Sequence, residues 1–88
     1  MFDYKRENKM LEEADRLLSL GDESKAYDMI VDIFGNDTNH MYAHILTESN
    51  PEYSLHSKKL NKLVEKYLIK VLMSKIFVQD QNTSNKDL

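Results

Sequence analysis

His40 and His44 stand four residues apart, and Glu48 follows four residues later. On a helix that spacing places all three on one face. Two imidazoles and a carboxylate there could offer nitrogen and oxygen donors to a zinc-like ion. The zinc-protease pattern also requires a glutamate directly after the first histidine, and Met41 occupies that position. No cysteine or neighbouring third histidine closes a tetrahedron, so His40 and His44 are expected at the surface or an interface. The two form at most a weak metal candidate, and no cofactor is expected.

Catalytic chemistry has little to start from. The chain lacks a cysteine nucleophile, a glycine-rich phosphate loop and a G-x-S-x-G turn. Glu12–Glu13 and Asp28/Asp32 are paired carboxylates, but their positions in the pattern are solvent-facing. A general acid or base needs a desolvated pocket to tune its pKa, and a short helical chain with few loops offers little concave surface. No catalytic residue is assigned and no enzymatic activity is expected.

Lys58, Lys62, Lys66 and Lys70 recur every four residues, with Lys59 beside them. On a helix they form a basic ridge about three turns long. A solvated face is one explanation. The other is an anionic ligand, with Tyr53 and Tyr67 nearby to contribute rings, which makes nucleic acid or phosphate-ligand binding the alternative function. Against sequence-specific DNA reading stand just two arginines, Arg6 and Arg16, both on an acidic segment.

The elements that must position these residues are helices. Two glycines and one proline punctuate the chain, and no segment alternates in the manner of a strand. Helix 1 is expected over Tyr4–Leu20 after an Asp3 cap, with Met10, Leu11, Ala14, Leu17 and Leu18 on one face. Gly21 suits its end. Asp22 and Glu23 open helix 2, Ala26, Tyr27, Ile30, Ile33 and Phe34 form its buried stripe, and Gly35 closes it. Asp37 or Thr38 caps a short helix 3 through Glu48, with Met41, Tyr42, Ile45 and Leu46 apolar. A long helix 4 then starts at Pro51 or Ser54 and runs to about Gln79.

The positions of Met10, Ala14, Leu17, Gly21, Ala26, Ile30 and Ile33 resemble one tetratricopeptide-type helical hairpin. Thirty-four residues on, His44, Glu48, Pro51 and Leu60 do not repeat the pattern, so no solenoid is expected. The expected fold is all-α: a small four-helix domain, with an N-terminal αα-hairpin, a short third helix and a long C-terminal one. Residues 1–79 form that single domain and residues 80–88 a flexible polar tail.

Helix 4 changes character after Lys70. Measured from Leu60 at 100° per residue, Val64, Tyr67, Leu68, Val71 and Val78 point towards helices 1 to 3. Ile69, Leu72, Met73 and Ile76 point away, with Phe77 beside them. A helix apolar on all sides needs cover on more than one side. These five residues are therefore expected to form an interface with another protein, with a second copy, or with both.

Composition limits the setting. Eighty-eight residues support one domain of thin stability. The absence of cysteine fits a reducing compartment. No signal-peptide pattern or spanning apolar run occurs, so a cytoplasmic protein with no membrane partner is expected. Residues 1–47 are net acidic, whereas 54–79 hold six lysines against one glutamate. The expected function is a non-enzymatic interaction or regulatory protein, a homodimer or higher oligomer, that modulates a larger macromolecule. Such proteins include accessory factors of phages and mobile elements.

Overall fold

The structure is a computed structural model that describes the backbone of residues 4–87 and the side chains of residues 5–76. Four helices follow one another: α1 (Tyr4–Ser19), α2 (Glu23–Phe34), α3 (Thr38–Glu48) and α4 (Lys58–Asp87). The Asp3 cap and the side chain of Phe77 lie outside the described residues. No helix among the described residues is long and apolar enough to cross a membrane.

The α1–α2 hairpin forms as the glycine and cap pattern requires. Gly21 adopts φ +84°, a left-handed conformation that costs glycine little. Its amide donates to the Leu18 carbonyl at 3.1 Å, and the Asp22 amide donates to Leu17 at 2.9 Å. These two bonds make a Schellman closure. Asp22 then caps α2 by accepting from the Lys25 amide at 3.2 Å. Asp37 does the same for α3, accepting from the His40 amide at 3.0 Å. Each side chain satisfies an amide that has no partner within its helix.

Leu11 and Ala14 of α1, Ala26, Ile30 and Phe34 of α2, and Met41 of α3 meet Leu60, Leu63, Val64, Tyr67 and Val71 of α4 in one core. Leu17, Leu18, Tyr27, Ile33, Ile45 and Leu68 pack around it. On α3 just one side of the expected apolar set is covered. Met41 and Ile45 turn inward, while Tyr42 and Leu46 are exposed. The Tyr67 hydroxyl crosses the core edge and donates to the Gly35 carbonyl at 2.6 Å, joining α4 to the end of α2. Its ring meets Tyr27 edge to face, centroids 5.5 Å apart.

The start of α4 departs from expectation: it lies at Lys58, not at Pro51 or Ser54. Asn50 caps a turn instead of a helix, its side chain accepting from the Glu52 amide and its carbonyl from the Tyr53 amide, each at 3.0 Å. Residues 54–57 then form an irregular loop that Glu48 and Asp15 hold by hydrogen bonds. Ser57 is the effective cap, its hydroxyl accepting from the Leu60 amide at 3.2 Å. Asp15 of α1 in turn accepts from the Ser57 amide at 3.1 Å and from its hydroxyl. At the other end α4 continues to Asp87, past the expected stop near Gln79. No glycine or proline lies between those positions to end it.

Candidate functional site

Three surfaces carry the candidate residues. The first is a cleft of about 700 Å³ between α1, α3 and the loop before α4. It is lined by Glu7, His40, His44, Glu48 and His56, among others. The Nε2 of His40 lies 2.9 Å from Glu7 Oε1, tying α3 to α1. The Nδ1 of His56 lies 3.3 Å from Glu48 Oε1. Glu48 Oε2 accepts from the Leu55 amide at 3.0 Å, and from the His56 amide and the Ser54 hydroxyl at 3.2 Å. Burial pushes the Glu48 carboxyl up, but the His56 and Leu55 amides and the His56 ring outweigh it and hold it below its ordinary range.

His44 sits between the other two imidazoles without sharing their bonds. Its ring centroid is 5.5 Å from Phe34 and 6.2 Å from His56. Its Nε2 is buried with no hydrogen-bond partner among the described residues. Burial, with smaller contributions from the neighbouring His56 and His40, keeps its pKa below the ordinary value despite Glu48 nearby. Both expected histidines therefore reach one cleft, but each is engaged separately. Among the described residues no group of three or more His, Asp or Glu is arranged to hold a metal ion. The carboxylates act as loop and helix ties.

The second surface is the lysine ridge. Lys58, Lys59, Lys62, Lys66 and Lys70 are all exposed on α4. Lys59, Lys62 and Lys66 flank a cleft of about 410 Å³ floored by Leu18, Gly21 and Leu63. Two of the five already have partners within the chain. Lys66 Nζ is 3.7 Å from Glu23, and Lys70 Nζ lies 5.5 Å from the Tyr27 ring centroid. Such exposed pairs are individually worth little, yet they turn part of the ridge towards α2.

The third surface is the outer face of α4. Val71 is the last described core residue, and every described side chain after it is exposed. Ile69, Leu72, Met73 and Ile76 are 59%, 43%, 64% and 56% exposed, respectively. Their spacing is i, i+3, i+4 and i+7, which makes one continuous apolar stripe along the helix. α1, α2 and α3 cover the opposite side of α4 as far as Val71. The paired carboxylates contribute no site: Asp28 and Asp32 are exposed, and Glu13 bonds to Arg16.

Sequence reasoning missed Glu7 and His56 as cleft residues. Glu7 lies 33 residues from its partner, and His56 follows a proline that reads as a helix start. No local pattern could have joined them. Comparison of the chain with protein-family models, with curated proteins and with solved structures finds no match.

Proposed function

We propose that this chain is a non-enzymatic interaction module of the cytoplasm that binds and modulates a larger macromolecule, docking through the outer face of α4. One observation carries the reading: Ile69, Leu72, Met73 and Ile76 are all exposed at i, i+3, i+4 and i+7. That is the anchor spacing by which an amphipathic helix enters an apolar groove. Leaving four large apolar side chains together in water forfeits burial free energy of several kcal/mol, at roughly 1.5–3 kcal/mol for each side chain when fully sheltered. A contiguous patch of this kind marks a contact surface. The absence of a nucleophile–base arrangement in the cleft supports a binding role over a catalytic one. Small size and the lopsided charge suit an accessory factor, such as those of phages and mobile elements.

The test is affinity purification of the tagged chain from its native cell, run in parallel with an Ile69→Glu/Ile76→Glu variant. The reading expects a polypeptide that co-purifies with the wild type and is lost from the variant while α-helicity is retained. Equal recovery by both would refute docking through this face. A second reading, nucleic-acid or phosphate-ligand binding, rests on the exposed Lys58, Lys59 and Lys62, which make no ion pair among the described residues. Nuclease-sensitive material in the same purification would favour it.

A further inference from the structure

The cleft of about 410 Å³ beside the α1–α2 turn combines two features that a merely solvated lysine face does not require. Its floor is apolar, made by Leu18 of α1 and Leu63 of α4, and its rim carries Lys59, Lys62 and Lys66. Leu18 is half-buried and supplies the accessible part of that floor, whereas Leu63 is only 4% exposed. The turn leaves the hollow open: Gly21 closes α1 without a side chain, and a Cβ there would meet no atom within 4 Å. Lysine stems line such a hollow with methylene groups while their ammonium heads stay at the rim.

The rim holds unspent positive charge. Lys59 and Lys62 make no ion pair among the described residues. Lys66 lies 3.7 Å from Glu23, but those side chains are 71% and 63% exposed. An exposed pair of this kind is worth little and can give way to an incoming anion. The charge complement of the rim is therefore a carboxylate or a phosphate, and the floor asks in addition for an apolar group between the anions. We propose that this cleft receives a short acidic polypeptide segment, with its carboxylates on Lys59, Lys62 and Lys66 and one apolar side chain lodged against Leu18 and Leu63.

The dimensions suit a segment of that kind. Lys59 to Lys66 spans about 10 Å of helix axis, which about three residues of extended chain cover. A nucleic acid fits less well. Duplex DNA carries a charge every ~1.7 Å, and that density would press on Glu23 at the rim. No aromatic ring lines the cleft to stack a base, so its leucine floor would stay uncovered. The cleft is separate from the Ile69–Ile76 stripe, and the proposal does not depend on docking there.

The probe is a fluorescein-labelled heptapeptide, Glu-Asp-Glu-Leu-Glu-Asp-Glu, read by anisotropy with the full chain at low salt. The same peptide with serine at its centre and an oligothymidylate serve as comparisons. The leucine peptide should bind saturably and at least about fivefold more tightly than the serine peptide, as sheltering an apolar side chain requires. Lys59→Glu/Lys62→Glu should weaken it by about tenfold or more, whereas Lys9→Glu/Lys75→Glu, with the same change of net charge, should alter it by less than about threefold. Glu23→Gln should tighten binding by freeing Lys66. All these positions are exposed, and circular dichroism checks that the helices persist. Ile76→Ser, on the stripe, should bind the peptide as the wild type does, so each docking surface stands or falls by itself. Absence of saturable binding, equal affinity for the leucine and serine peptides, or equal losses in the two double variants would overturn the proposal. Tighter binding of the oligothymidylate, lost in Lys59→Glu/Lys62→Glu, would assign the cleft to nucleic acid instead.

Discussion

His56 Nδ1 and Glu48 Oε1 lie 3.3 Å apart, and each side chain is only 5% exposed. The same carboxylate also takes the Ser54 hydroxyl and the Leu55 and His56 amides. One glutamate at the end of α3 therefore sets the path of the loop and the place where α4 begins. Replacing it by alanine leaves several donors without an acceptor. Hydrogen bonds to a charged group contribute about 1.5–3 kcal/mol, so Glu48→Ala is expected to cost roughly 2–4 kcal/mol. Thermal unfolding checks this, with a drop on the order of 10 °C or more expected for a domain this small. An unchanged Tm would mean that the loop is held by other contacts.

Acid should destabilise the fold in two stages. His44 has a folded pKa below its ordinary 6.5, chiefly through burial. The unfolded chain therefore binds its proton first, so stability is intact above about 6.5 and falls as pH drops through the window below it. Glu48, also held below its ordinary value of 4.5, adds a second loss as pH falls further. His44→Leu should flatten the first stage and leave the second. Tm measured from pH 8 to about pH 3 in both proteins decides it; an identical first decline in the variant would contradict the assignment.

The two isoleucines at 30 and 76 should respond oppositely to the same change. Ile30 is fully buried in the core, whereas Ile76 is exposed. Ile30→Asp places an unpaired charge in apolar surroundings and is expected to cost several kcal/mol, enough to unfold a domain of this size. Ile76→Asp should leave the stability of the single chain within about 0.5 kcal/mol while abolishing capture of the partner. Circular dichroism with affinity purification of both variants reads the contrast. An unfolded Ile76→Asp chain would show that the stripe serves the fold.

The lysine ridge makes a prediction of the opposite kind. Were phosphates its ligand, binding would release counterions and weaken by about tenfold or more between low and moderate salt. Docking through the apolar stripe instead predicts no mobility shift of DNA or RNA even at low salt. A shift that the Lys58→Glu/Lys62→Glu/Lys66→Glu/Lys70→Glu variant abolishes would transfer the function to the ridge.

Legibility followed the range of the interaction. The α1–α2 hairpin was readable because Gly21, Asp22, Gly35 and Asp37 act within one turn of their own positions. The two sides of α4 were readable because helical geometry alone separates Val64, Tyr67 and Val71 from Ile69, Leu72 and Met73. The start of α4 was not, because Asn50–Pro51 suits a turn as well as a helix. Glu48 reaching His56 eight residues on, and Asp15 reaching Ser57 across 42 residues, settle that choice. The histidine cleft was half readable. His40 and His44 share a face by spacing, but Glu7 and His56 arrive only through tertiary packing.

The central claim is that the outer face of α4 is covered when the protein works, and thiol footprinting tests it most directly. In this cysteine-free chain, Met73→Cys places a thiol on the stripe, and Ser24→Cys places one on the exposed first turn of α2 as a control. Each is labelled with a membrane-permeant alkylating reagent, in the native cell and as dilute purified protein. The account predicts that Met73→Cys reacts at least several-fold more slowly in the cell, relative to Ser24→Cys, because a contact surface excludes water. Equal relative rates in the two settings would show the face open to solvent in the working state and contradict it.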